Sequence, residues 1–202
     1  MDDKCGCAWA NSDPELKKYH DHEWGQPVHD DRLLFEFLIL EGAQAGLSWK
    51  TVLLKRDAYR KAFDNFEPSV VALYDDSKTK ELMSNAGIIR NWRKIEAAVN
   101  NAKGVLQIKK EFGSFDKYLW NFVGGKPLQN EYESMEGIPT ESAESRELSK
   151  DLKRRGFSFV GPTICYSFMQ AVGLVNDHVK GCPQRGEGQH ASSAHEVTPR
   201  KR

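Results

Sequence analysis

Apolar residues recur at steps of three and four along almost the whole chain, and a sustained run of strict alternation is hard to find. Alternation is what a half-buried strand requires, so the pattern restricts this chain to helices packed on one another. Start and stop signals divide it. Asp13-Pro14 supplies an N-cap and a proline at the first helical position, opening a helix to about His20. Asp30 or Asp31 caps a second, Leu33 to about Ala45, stopped by Gly46. Ser48 opens a third in which Trp49, Val52, Leu53, Tyr59 and Phe63 line one face. Short helices follow at 69–74 and 79–85, then a long one at about 91–108 and another from Ser114 to before Gly124. Residues 126–141 read as a loop, and a final pair spans 144–155 and 162–175. The expectation is an all-α protein.

The chain has 202 residues, 39% of them hydrophobic and 29% charged, enough apolar material for one buried core. A helical domain is expected over 1–183 and a disordered tail over 184–202, where Pro, Gly, Gln, Ser and charges leave almost nothing to bury. Lys and Arg (29) balance Asp and Glu (29), which argues against a broadly basic nucleic-acid coat but permits a local phosphate-binding patch. Met1-Asp2-Asp3 opens no apolar signal segment, and the uncharged stretch 159–176 is too polar for a membrane span. The protein is therefore expected in the cytoplasm. Four cysteines are too few for a disulfide scaffold of this length.

Four features carry chemistry. The turn Arg155-Gly156-Phe157-Ser158-Phe159-Val160-Gly161-Pro162 joins two helices, with Phe157 and Val160 as anchors and the second helix's first amides open to an anion. Lys153, Arg154 and Arg155 would reinforce that site; the plainer reading is a hairpin whose cations complement a helix dipole. Glu41 lies in the same helical row as Leu34, Phe37, Leu38 and Ala45, where burial is expected, so it must be paired, protonated or used. A structural salt bridge is the competing explanation. Trp9, Tyr19, His20, His22 and Trp24 crowd a short polar segment, and with Glu41 and Trp49 they can form a stacking pocket for a base. Finally, Cys5 and His20 near one end and His178 and Cys182 near the other make a two-Cys, two-His set suited to closed tetrahedral zinc. Cys7 competes with Cys5 from the same turn, while Cys165 belongs to an apolar helix face.

The segments 19–25 (Tyr-His-Asp-His-Glu-Trp-Gly), 40–49 (Leu-Glu-Gly-Ala-Gln-Ala-Gly-Leu-Ser-Trp) and 157–170, with 87–91 and 175–178, closely resemble the bacterial DNA-3-methyladenine glycosylase I family over about residues 5–182. The resemblance implies a helix-hairpin-helix glycosylase bundle that removes 3-methyladenine from alkylated double-stranded DNA by base flipping, as a monomer, and releases the free base. It implies one structural zinc joining the N- and C-terminal regions, with its ligands falling on Cys5, His20, His178 and Cys182. The base-recognition carboxylate falls on Glu41, with Tyr19, Trp24 and Trp49 around the ring and Trp9 beside them. Gly46 and Leu47 fall on the turn that presses into the gap left by the flipped nucleotide. Gly156, Phe157, Gly161 and Thr163 fall on the hairpin that holds the DNA backbone. Departures are the run Cys5-Gly6-Cys7-Ala8-Trp9, longer than the family's Cys-Gly-Trp, and Leu16 where many relatives carry tyrosine. A non-catalytic DNA-binding module would not need Glu41 in an aromatic pocket, and a zinc hydrolase would need an open coordination position.

Overall fold

Residues 34–43 are buried without a break, so the helix that carries them, α2 (Asp31–Gln44), runs through the centre of the protein rather than along its surface. The structure, a computed structural model, describes residues 6–186. Before α2 comes α1 (Pro14–His22), and after it α3 (Trp49–Leu53), α4 (Arg56–Ala62), α5 (Pro68–Val71), α6 (Asp76–Ser84), α7 (Trp92–Phe112), α8 (Phe115–Trp120), α9 (Ala143–Arg154) and α10 (Pro162–Ala171). β1 (Leu128–Gln129) and β2 (Val175–Asn176) are two residues each and pair in parallel, Leu128 opposite Val175. The architecture is helical, with α3, α7, α8 and α10 packed on α2.

The caps explain the boundaries. The side chains of Asp13, Asp30, Ser48, Asp75, Asn91, Ser114 and Ser142 each accept a backbone N–H of the helix they precede, as short polar side chains at N-caps do. α2 then inserts Leu34, Phe35, Phe37, Leu38 and Leu40 into the core together with Phe63, Phe66, Phe115 and Phe168. Burial of this many large apolar side chains, each contributing about 1.5–3 kcal/mol, is what offsets the ordering of the chain.

Several expectations need correction. α2 does not show one apolar row but is buried all round, which takes Glu36 inside as well as Glu41. The helix expected after Ser48 breaks at Leu54 and Lys55. The break turns Arg56 inward toward Glu36 and lets Lys55 Nζ donate to the carbonyls of Ala86 and Gly87. The last helix stops at Ala171 rather than Val175: Gly173 turns left-handed (φ +70°), and the carbonyls of Gln170 and Val172 accept the amides of Gly25 and Val28. The 126–141 loop contains β1. Beyond residue 183 the chain continues ordered as a short 3-10 turn, Pro183–Arg185, tied down by Asn176 Nδ2 donating to Arg185 O. The rest of the expected tail, 187–202, lies outside the described residues.

Candidate active site and metal centre

α1 presents His20, and the turn after β2 presents His178 and Cys182; the segment before α1 closes the group with Cys7. All four are buried, and one ligating atom from each lies within 4.8 Å of the others. His178 Nδ1 is 3.1 Å from His20 Nε2, and Cys182 Sγ is 3.5 Å and 3.4 Å from those two nitrogens. Cys7 Sγ is 3.9 Å from His178 Nδ1. The second nitrogen of each ring fixes its tautomer. His20 Nδ1 faces Asp21 Oδ1 at 2.8 Å, and His178 Nε2 faces the carbonyl of Trp24 at 3.1 Å. With both N–H groups directed outward, two nitrogen lone pairs converge with two sulfurs, an arrangement that favours a cation between them. Burial and His20 lower the His178 pKa to about 4, keeping it neutral, as a ligand must be. The donors fit zinc: two sulfurs and two imidazoles on a tetrahedral scale, with no position left open for substrate. Cys5, assigned to this set from sequence, lies outside the described residues; the cysteine that the fold brings to the group is Cys7.

The aromatic residues divide into two groups. Trp24 stacks on His20 and meets His178 edge-on at 4.6 Å, so it walls the Cys/His group and its ring partners do not include Tyr19 or Trp49. Trp9 touches both groups, with Tyr19 at 6.3 Å and Trp24 at 5.3 Å. Tyr19 and Trp49 form the other group, their centroids 5.3 Å apart. The Trp49 indole N–H is buried without an acceptor among the described residues. Such a donor costs about 1–3 kcal/mol unless something else satisfies it.

Glu36 and Glu41, five residues apart on α2, are both buried carboxylates with opposite circumstances. Glu36 accepts from Arg56 Nε at 2.5 Å and Arg60 Nη2 at 2.8 Å, and Arg56 continues to Glu23. Glu41 is 4% exposed, and no hydrogen bond or ion pair reaches its carboxylate among the described residues. Desolvation therefore raises its pKa to about 8. Its charge is felt at Tyr19, whose own pKa burial and Glu41 push up. The structural salt bridge that rivalled a functional reading of Glu41 belongs instead to Glu36.

Glu41 also lines a cavity of about 170 Å³ with Gln44, Ala45, Gly46, Leu47, Thr163, Ile164 and Ser167. The structure thus joins four residues singled out in the sequence, Glu41, Gly46, Leu47 and Thr163, and adds Gln44, Ile164 and Ser167. Gln44 lies one turn from Glu41 and Ser167 one turn from Thr163, and helical spacing alone could have found both. At the mouth Gly46 is left-handed (φ +78°) and Leu47 is 43% exposed.

The other wall is α10, which the turn after α9 leads into. Gly156 ends α9 in the left-handed region (φ +87°), and Phe157 is buried against α7. Asn101 brackets Ser158, donating to its carbonyl and accepting its N–H, both at 2.9 Å. Gly161 has no side chain to cap α10, so the first amides of that helix lack an acceptor within it. The basic turn is less available than expected. Arg155 pairs with Asp151 and Glu111 and lies over Phe112 and Tyr118, and Arg154 pairs with Asp151.

Among the described residues no helix is long and apolar enough to cross a membrane. A family model described as methyladenine glycosylase matches residues 9–185. The DNA-3-methyladenine glycosylase 1 of Escherichia coli (strain K12) is 49% identical over 176 residues, spanning 87% of this chain and 94% of that protein. A structure of 3-methyladenine DNA glycosylase I from Staphylococcus aureus matches with a TM-score of 0.88 at 44% identity, over 91% of this chain and 97% of that one. A variant of 3-methyladenine DNA glycosylase I in complex with 3-methyladenine gives 0.87 at 44%, over 89% and 97%. With the fold and the matched length in agreement, the chain belongs to the methyladenine glycosylase family.

Proposed function

We propose that this protein is a DNA repair enzyme that hydrolyses the N-glycosidic bond of 3-methyladenine in alkylated double-stranded DNA, releasing the base and leaving an abasic site. The observation that carries the reading is Glu41, buried and without a partner beside a cavity whose mouth is an exposed leucine turn. The relatives named for this activity, one of them solved with 3-methyladenine, support it.

A base within a duplex is out of reach, so the nucleotide must be extruded, at a cost of a few kcal/mol of unstacking. Leu47 is placed to fill the gap, while the open amides of α10 and the Gly156–Gly161 turn take the phosphate backbone. Glu41, in the cavity lining, accepts from the amino edge of the purine; Tyr19 and Trp49 pack on each other outside that lining and are read as the rings that meet the base, with the Trp49 N–H in need of an acceptor. Methylation at N3 gives the attached adenine a positive charge, so it departs with the bonding electron pair without protonation by a general acid. Water then bonds to the sugar carbon and gives up its proton. Near neutral pH an empty pocket holds Glu41 largely protonated; a cationic purine favours its ionisation, whereas neutral adenine does not. The carboxyl thus selects for charge. Asp177, the nearest aspartate after the hairpin, is committed elsewhere: it accepts from Tyr166, Gln170 and Asn130.

We read the Cys7, His20, His178 and Cys182 group as the seat of one structural zinc per chain, holding the segment before α1 against the C-terminal turn. We take the protein to act as a monomer in the cytoplasm. The test is to incubate the protein with methylated duplex DNA and identify the free bases. Release of 3-methyladenine is expected, and its absence would refute the reading.

A further inference from the structure

α7 holds both segments that adjoin the cavity, the end of α2 and the turn before α10. Toward its C-terminal side Asn101 fixes Ser158 of the hairpin, and Asn100 donates to the carbonyl of Gly156. Two turns earlier, Lys94 Nζ donates to the carbonyls of Ala43 and Ala45, each at 2.7 Å. Those carbonyls close α2, where no intrahelical amide can reach them, and the ammonium lies at the negative end of the helix dipole. Immediately beyond, Ala45 leaves helical geometry (φ −45°, ψ 115°) and Gly46 turns the chain so that Leu47 projects outward. An exposed leucine has little packed over it to fix its direction, so its support must come from beneath.

We infer that Lys94 is a positioning residue for base extrusion: by fastening the carbonyls of Ala43 and Ala45 it stiffens the Gly46-Leu47 turn at the separation from the hairpin that α7 sets. The inference rests on the glycosylase reading above. Lys94 acts through Leu47 rather than through base or sugar. Its contribution therefore matters where there is a gap to fill, in a duplex, and not on a single strand.

The test compares wild type with Lys94→Met, which keeps the aliphatic stem without the ammonium, and Lys94→Arg, which keeps a cationic donor. Excision rates on methylated duplex and single-stranded DNA, affinity for free 3-methyladenine, and amide exchange over residues 43–48 are measured on each. Lys94→Met is expected to lose about tenfold or more in kcat/KM on duplex and less than about threefold on single strand, as for a misplaced positioning element. Base affinity should hold, exchange at Leu47 should quicken, and Lys94→Arg should recover most of the duplex rate. Equal losses on both substrates would overturn the inference and make Lys94 a general phosphate contact. Unchanged exchange over 45–48 would overturn it whatever the excision rates. If wild type releases no 3-methyladenine, the functional reading fails, and the exchange result still decides whether Lys94 holds the turn.

Discussion

At the scale of single residues, α2 shows how one helix can bury two carboxylates for different ends. Glu36 is surrounded by Arg32, Arg56 and Arg60, and the low-dielectric cost of its charge is met by charge-assisted hydrogen bonds. Glu41 has no such relief, so its ionised form destabilises the fold until a ligand compensates. The pH dependence follows in sign. Its folded pKa, about 8, is above the ordinary value of 4.5. The stability it lends by holding a proton is therefore complete below 4.5 and lost as pH rises through about 8. Glu41→Gln removes that titration. The variant should match wild type near pH 4.5 and exceed it in urea unfolding at pH 9 by roughly 5 kcal/mol. Wild type as stable as, or more stable than, the variant at pH 9 would mean an unseen partner holds the carboxylate.

At the scale of elements, most helix boundaries were legible because their caps are local chemistry: Asp30, Ser48, Asn91 and Ser114 each sit one residue before the helix they open. What depends on distant neighbours was not legible. The break at Leu54 and Lys55 answers Glu36, twenty residues before Arg56, and the early end of α10 answers amides from residues 25 and 28. Trp24 packs on Trp9 as well as on His20 and His178, contacts that spacing along the chain does not give. Gly104, inside α7, is another position whose reason is tertiary. A Cβ there would lie 2.3 Å from the Phe157 ring, so this glycine lets the hairpin dock on α7. In an exposed helix Gly→Ala gains about 1 kcal/mol. Here overpacking of the order of 1–3 kcal/mol opposes it. Gly104→Ala should lower the melting temperature and weaken DNA binding together; an unchanged or raised melting temperature would show that Phe157 can move aside.

At the scale of the whole molecule, the N- and C-terminal regions are joined twice. Backbone bonds tie Gly25 and Val28 to α10, and the Cys/His group joins the segment before α1 to the turn after β2. The chain ends therefore do not depend on a metal alone to stay docked, contrary to the motive that sequence spacing offered. Freshly purified protein should contain one zinc per chain. Its removal by a chelator should cost about 2–4 kcal/mol, a fall in melting temperature of roughly 5–15 °C, without abolishing the fold. Cys7→Ser and Cys182→Ser should lose the metal and Cys5→Ser should keep it; zinc retained in Cys7→Ser and lost in Cys5→Ser would move the site to Cys5. That the N- and C-terminal regions supply a Cys/His group able to hold a metal was legible, because two cysteines and two histidines so far apart in the chain have few other uses. The choice between Cys5 and Cys7 was not, since it turns on which sulfur reaches His178. The proposed function turns on Glu41 reading a cationic purine in its pocket. The most direct measurement is release of 3-methyladenine from methylated duplex DNA by wild type and Glu41→Gln at neutral pH, with melting temperatures taken on the same samples. Release by wild type is expected, with a rate lower by about 2–3 kcal/mol, roughly 30- to 150-fold, in a variant that melts no lower. A Glu41→Gln protein that excises the base at the wild-type rate would contradict that role for Glu41.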